Sequence, residues 1–142
     1  MPSIGAGDPR GVEWIHDADG RPIALLVPAE FAPTATTFLT PPELDAQMGF
    51  VVYPAGGVVK RHRHPRREHR FESTPEALVV RSGRCVLQVY GEGDRLLASR
   101  ELAAGDVALL LAGGHGITML EPTVLLEVKT GSYEVTLGKE LF

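Results

Sequence analysis

Short apolar segments rich in Val, Leu and Thr alternate with glycine and proline punctuation at roughly ten-residue spacing, and no stretch keeps a helical apolar period for long. The pattern predicts an all-β chain. A first hairpin pairs Val12 to Ile15 with Pro22 to Val27 through Asp17-Ala18-Asp19-Gly20, where Asp and Gly accept the backbone angles of a tight turn. Loop and extended chain follow from Ala29 to Pro42, with at most one short turn over Pro41 to Gln47. Strands are then predicted at Met48 to Tyr53, Val58 to His64, Ala77 to Arg81, Cys85 to Tyr90, Arg95 to Leu102, Val107 to Leu111, Ile117 to Leu120, Thr123 to Lys129 and Tyr133 to Leu137. Regular short strands joined by tight turns point to a β-sandwich or barrel.

The 142 residues suffice for one domain with a real core, so the expected organisation is a single domain over 1–142. Within it, 1–47 supplies extra N-terminal strands and an extension, 48–129 the core barrel and 130–142 a C-terminal strand. Fourteen Lys and Arg against 18 Asp and Glu give a formal charge of -4, which argues against a general nucleic-acid or membrane-surface binder. The longest apolar run, Val107 to Ala112, is far short of a membrane span, and MPSIGAGDPR lacks the basic start and apolar stretch of a signal peptide. One cysteine, Cys85, forms no internal disulfide, which suits a reducing compartment; the expectation is a cytoplasmic protein.

The chemistry concentrates in one place. Three of the five histidines, His62, His64 and His69, sit among Lys60, Arg61, Arg63, Arg66, Arg67 and Arg70. On a strand, His62 and His64 point to the same side, and two imidazoles on one face can grip one ion. Glu76, at the mouth of the next apolar run, offers a hard oxygen ligand, and His115, in the loop Gly113-Gly114-His115-Gly116, a further imidazole. The competing reading is a solvated basic strand whose histidines continue the charge, with His115 explained by turn chemistry. His16 and His69 are read as exposed or hydrogen-bonded only.

These residues resemble the cupin superfamily. Its first motif is matched by Gly56, five residues, His62-Arg63-His64, then Glu76, six residues and Gly83, with the longer segment Pro65 to Pro75 between the halves. The second is matched in part by Gly105, five residues, Leu111 where the family has proline, then Ala112, Gly113 and His115. The resemblance covers roughly Met48 to Lys129 and looks like that of small single-domain bacterial cupins. It implies a double-stranded β-helix, the jelly-roll barrel, holding one divalent transition metal through His62, His64, Glu76 and His115. Mn, Fe, Ni and Zn suit that ligand set about equally. It also implies a homodimer paired through the N-terminal strands.

Around such a site, Arg66, Arg67 and Arg70 place guanidinium forks suited to carboxylate or phosphate, and Gln88 orients a ligand if it points into the barrel. The interior is expected to be filled by Val51, Leu78, Val80, Leu87, Val89, Leu109, Leu111 and Leu125. Glu127 and Lys129 share a face with Leu125; the rarity of buried lysine favours a solvated pair on the outside. Two functional readings stay open. One is a metal-dependent enzyme acting on a small anionic or sugar-like molecule; the other is a non-catalytic cupin that binds or senses such a ligand. Neither involves nucleic acid or membrane.

Overall fold

The computed structural model describes residues 11–131 and 140–142. The described part is nearly all β in antiparallel sheets, with one 3-10 turn at Glu92–Asp94 and no α-helix among the described residues. It divides into two compact units: Ala32–Ser73, and the residues on either side of that segment. The expected strand at Tyr133 to Leu137 lies outside the described residues. No helix among the described residues is long and apolar enough to cross a membrane.

The flanking unit contains two sheets. The first has five strands, β1 (Glu13–His16), β2 (Pro22–Val27), β5 (Glu76–Ser82), β8 (Val107–Leu110) and β10 (Val124–Lys129), in the order β1-β2-β8-β5-β10. The second has β6 (Arg84–Tyr90) between β7 (Leu96–Ala103) and β9 (Gly114–Met119). In antiparallel pairs, residues directly opposite one another present their side chains to the same side. The register therefore assigns Ala24 and Leu26, Ala108 and Leu110, Leu78 and Val80, and Leu125 to one face of the first sheet. Cys85, Leu87 and Val89 share a face of the second sheet with Ala98 and Leu102. These two sets form one apolar core. The alternation that predicted strands thus also chose their inner faces, because a one-residue slip would carry every apolar side chain out of the core.

Polar residues close this space at its edges. Glu13 of β1 and Arg100 of β7 form an ion pair at 2.7 Å. Asp17, after β1, accepts hydrogen bonds from the backbone N–H groups of Ala18 (2.8 Å) and Glu92 (2.7 Å) and meets Arg95 at 3.3 Å, tying a turn of one sheet to a turn of the other. Those contacts hold the Asp17 carboxyl below its ordinary value, the Glu92 N–H contributing most and burial opposing. Cys85 is buried, as expected of a small apolar side chain, and burial pushes its thiol up.

The unit Ala32–Ser73 is built differently. Its regular structure is one short antiparallel pair, β3 (Thr37–Phe38) with β4 (Gly49–Phe50). The turn between them is held by Thr40, whose hydroxyl donates to Gln47 Oε1 (2.9 Å) and accepts from the Met48 N–H (3.0 Å). Three sequence expectations are corrected here. The strand expected over Met48 to Tyr53 shrinks to two residues, and Val58 to His64 forms no strand. Val51, expected in the interior, is 61% exposed. Phe38, Val51, Tyr53, Val58 and Val59 of this segment are each more than half exposed, so local β preference goes unused.

Candidate functional site

Glu76 opens β5 and lies opposite Leu110 of β8, which puts it on the inner face with Leu78 and Val80. His115 lies opposite Val89 of β6, on the inner face of the other sheet. The expectation of a loop histidine is corrected: β9 starts at Gly114, so His115 is a strand residue. Gly113 makes this entry possible, with φ +66° and a backbone so close to the Tyr90 carbonyl oxygen that a side chain would collide with it. From opposite sheets, His115 Nε2 and Glu76 Oε1 come to 2.8 Å. The Glu76 side chain is only 13% exposed and that of His115 33%, which places the contact at the rim of the inter-sheet space.

Two further charged residues belong to this rim. Lys129 lies directly opposite Glu76, and Glu127 opposite Leu78, so both share the inner face of the five-stranded sheet. This corrects the expectation of an outward-facing pair. Val124, Leu126 and Val128 take the outer face instead and are 58%, 46% and 61% exposed. Lys129 Nζ lies 4.0 Å from Glu127 Oε1. The hydrogen bond from His115 holds the Glu76 carboxyl below its ordinary value; burial opposes it, while a hydrogen bond with Glu127 and the charges of His115 and Lys129 act in the same direction. The shared parity of Leu125, Glu127 and Lys129 was legible in the sequence; that Leu125 packs on the core is what the structure adds.

The other expected residues lie in the second unit or on other faces. His62 and His64 belong to Ala32–Ser73, exposed, with their rings 5.1 Å apart and nearly perpendicular. His62 Nδ1 lies 2.8 Å from the Lys60 carbonyl oxygen, which only accepts, so Nδ1 is the donor in this contact. Arg66, Arg67 and Arg70 are exposed in the same unit, and His69 stacks on Phe71. Gln88 lies on the face of β6 opposite Leu87 and Val89, and its Oε1 accepts a hydrogen bond from the Tyr90 hydroxyl at 3.2 Å. It points away from the inter-sheet space.

An imidazole and a carboxylate are donor types that first-row ions accept, and His115 Nε2 and Glu76 Oε1 lie 2.8 Å apart, at hydrogen-bond distance. Within either unit, among the described residues, no three His, Cys, Asp or Glu side chains gather as a complete ligand group. A cavity of about 140 Å³ lies elsewhere in the flanking unit, lined by Glu13, Leu26, Arg100, Leu102 and Asp106. Its charged groups already have partners, Glu13 on Arg100 and Asp106 on the backbone N–H groups of Ala29 and Ala103.

Comparison with known proteins finds no matching family model, no matching curated protein and no matching solved structure.

Proposed function

We propose that this chain is a metal-binding protein of cupin type, its two sheets forming a double-stranded β-helix, that acts on or binds a small anionic or sugar-like molecule. The observation that carries the reading is the contact between His115 and Glu76, two residues 39 positions apart that meet at 2.8 Å from opposite sheets. Both were singled out as ligands by their motif positions, and donors converging from two sheets make a rigid half-site. The motif positions assign the remaining imidazoles to His62 and His64.

A bound divalent ion supplies Lewis acidity toward an oxygen of the ligand. The chain's own residues do the rest. Glu76 contributes charge and is fixed by burial, and His115 is oriented by its strand. Metal analysis of the purified full chain tests this, in the wild type and in His62→Ala, Glu76→Ala and His115→Ala, each checked for folding by circular dichroism. Stoichiometric metal in the wild type and a sharp fall in each variant are expected. Unchanged occupancy in a folded variant removes that residue from the ligand set, and a wild type that takes up no Mn, Fe, Ni or Zn ends the reading.

A further inference from the structure

The summed charge of -4 conceals an uneven distribution. Residues 60–70 hold six of the 14 Lys and Arg (Lys60, Arg61, Arg63, Arg66, Arg67 and Arg70) and only Glu68 of the 18 Asp and Glu. A partner senses charge within about one Debye length, ~8 Å at physiological salt, so the local excess and not the sum decides what this segment attracts. The expectation that no nucleic acid is involved rested on the sum. The structure leaves the local excess unneutralised: all six side chains are exposed, and none has an ion pair or side-chain hydrogen bond among the described residues. In the flanking unit, by contrast, Arg84, Arg95, Arg100 and Lys129 each meet a carboxylate. Crowded like charges repel one another, and nothing in the fold of residues 60–70 offsets that repulsion; a polyanion does.

The shapes of the side chains choose among polyanions. Five of the six cations are arginines, whose planar guanidinium forks onto phosphate and stacks on flat rings. Interleaved with them are rings: His62 and His64, 5.1 Å apart, and His69 stacked on Phe71 at 6.0 Å with the two planes within 8° of parallel. Phe71 is 42% exposed, so that stack is open to a partner. Cations for a phosphate backbone, together with flat groups for unpaired bases, are the combination that holds single strands. A duplex hides its base faces, and its major groove admits a helix or a two-stranded ribbon, neither of which is formed by residues 60–71. Membrane surfaces are met by amphipathic helices, and the described residues contain no α-helix.

We propose that residues 60–71 bind single-stranded nucleic acid, with the arginines on phosphates and the His69–Phe71 stack against a base. The surface lies wholly within the unit Ala32–Ser73 and needs no metal ion.

The test is fluorescence anisotropy of labelled oligouridylate and oligothymidylate of about a dozen nucleotides. Duplex DNA of the same length and vesicles of phosphatidylserine and phosphatidylcholine are the competing partners. The full chain is compared with the triple variant Arg66→Ser, Arg67→Ser, Arg70→Ser, with Phe71→Ala, and with the control Arg21→Ser, Arg81→Ser, which removes two exposed charges from the flanking unit. Circular dichroism checks folding, and His62 and His64 stay in place so that the metal reading is not tested at the same time. Single strands should bind the wild type more tightly than duplex does. Each phosphate contacted steepens the salt dependence by about 0.7, so the triple variant should flatten it by about 2 and lose at least about tenfold in affinity. Phe71→Ala should lose about fivefold and the control less than about twofold. A preference for one of the two strands upholds the proposal and tells RNA from DNA. The proposal is overturned if the wild type binds neither strand at about 50 mM salt, if the folded triple variant or Phe71→Ala binds like the wild type, or if the control loses as much as the triple variant. Duplex bound as tightly as single strands overturns it in favour of an unspecific polyanion surface, and vesicles bound more tightly than either strand in favour of a membrane surface.

Discussion

The two compact units answer the same β-rich composition in different ways. In the flanking unit, strands of four to eight residues pair over their full length and bury Ile15, Leu87, Val80 and Val89 between two sheets. In Ala32–Ser73 the only regular pairing among the described residues is two residues against two, and Phe38, Val51, Tyr53, Val58 and Val59 are more than half exposed. The lesson is that alternation becomes a strand when a second apolar layer rewards it. Chemistry is divided along the same line. The carboxylate and imidazole built on long strands already meet, whereas His62 and His64 sit on chain whose local order comes from side-chain-to-backbone contacts such as that between His62 and Lys60.

The contrast is broken most forcefully by opening a cavity in each unit. Leu87→Ala, at a fully buried site, is expected to cost about 2–5 kcal/mol, whereas Val58→Ala, at a site 72% exposed, should stay within about 0.5 kcal/mol; urea unfolding of the two variants measures both. Similar losses from both would mean that Val58 is held as firmly as the core. Glycines with positive φ give the next largest difference. At Gly83 (φ +87°) a side chain would run into the Pro122 carbonyl and Thr123, while at Gly56 (φ +81°) it would meet open space. Gly56→Ala should therefore cost only the backbone term of about 1–2 kcal/mol, and Gly83→Ala visibly more. Equal shifts in thermal midpoint would contradict the crowding at Gly83.

A third difference shows only in acid. The Asp17 carboxyl is held below its ordinary value, first by the Glu92 N–H and then by the Ala18 N–H, so its contribution to stability is complete above the unfolded value near 4 and is lost as pH falls through the lower folded value. Urea midpoints of wild type and Asp17→Asn should differ at pH 7 and converge as pH drops through that window. A gap independent of pH would show that the charge of Asp17 is immaterial. Smallest of all is the expected effect of Arg66→Ala, Arg67→Ala and Arg70→Ala, each on an exposed residue of Ala32–Ser73: within about 0.5 kcal/mol in stability, with any loss confined to ligand binding.

Much of the fold was legible one residue at a time. The hairpin of β1 and β2 follows from a buried apolar run after Asp-Ala-Asp-Gly, and β5, β6, β7, β8 and β10 fall within about two residues of their expected bounds, because each alternates between turns that glycine, proline or aspartate enforces. Glu76 and His115 could be singled out as metal-binding residue types at motif positions. Their meeting could not, since it depends on how two sheets stack.

The amino-acid order by itself determined where strands start and stop and which side chains share a face, because turn chemistry and a period of two are local properties. Only the tertiary structure decided which face is the inside. In β10 both parities carry apolar residues, and pairing with β5 turned Leu125, Glu127 and Lys129 toward the core and left Val124, Leu126 and Val128 outside. The cost of placing a lysine there is met by Glu76 and Glu127, whose nearness is a product of strand register and appears nowhere in the sequence around Lys129.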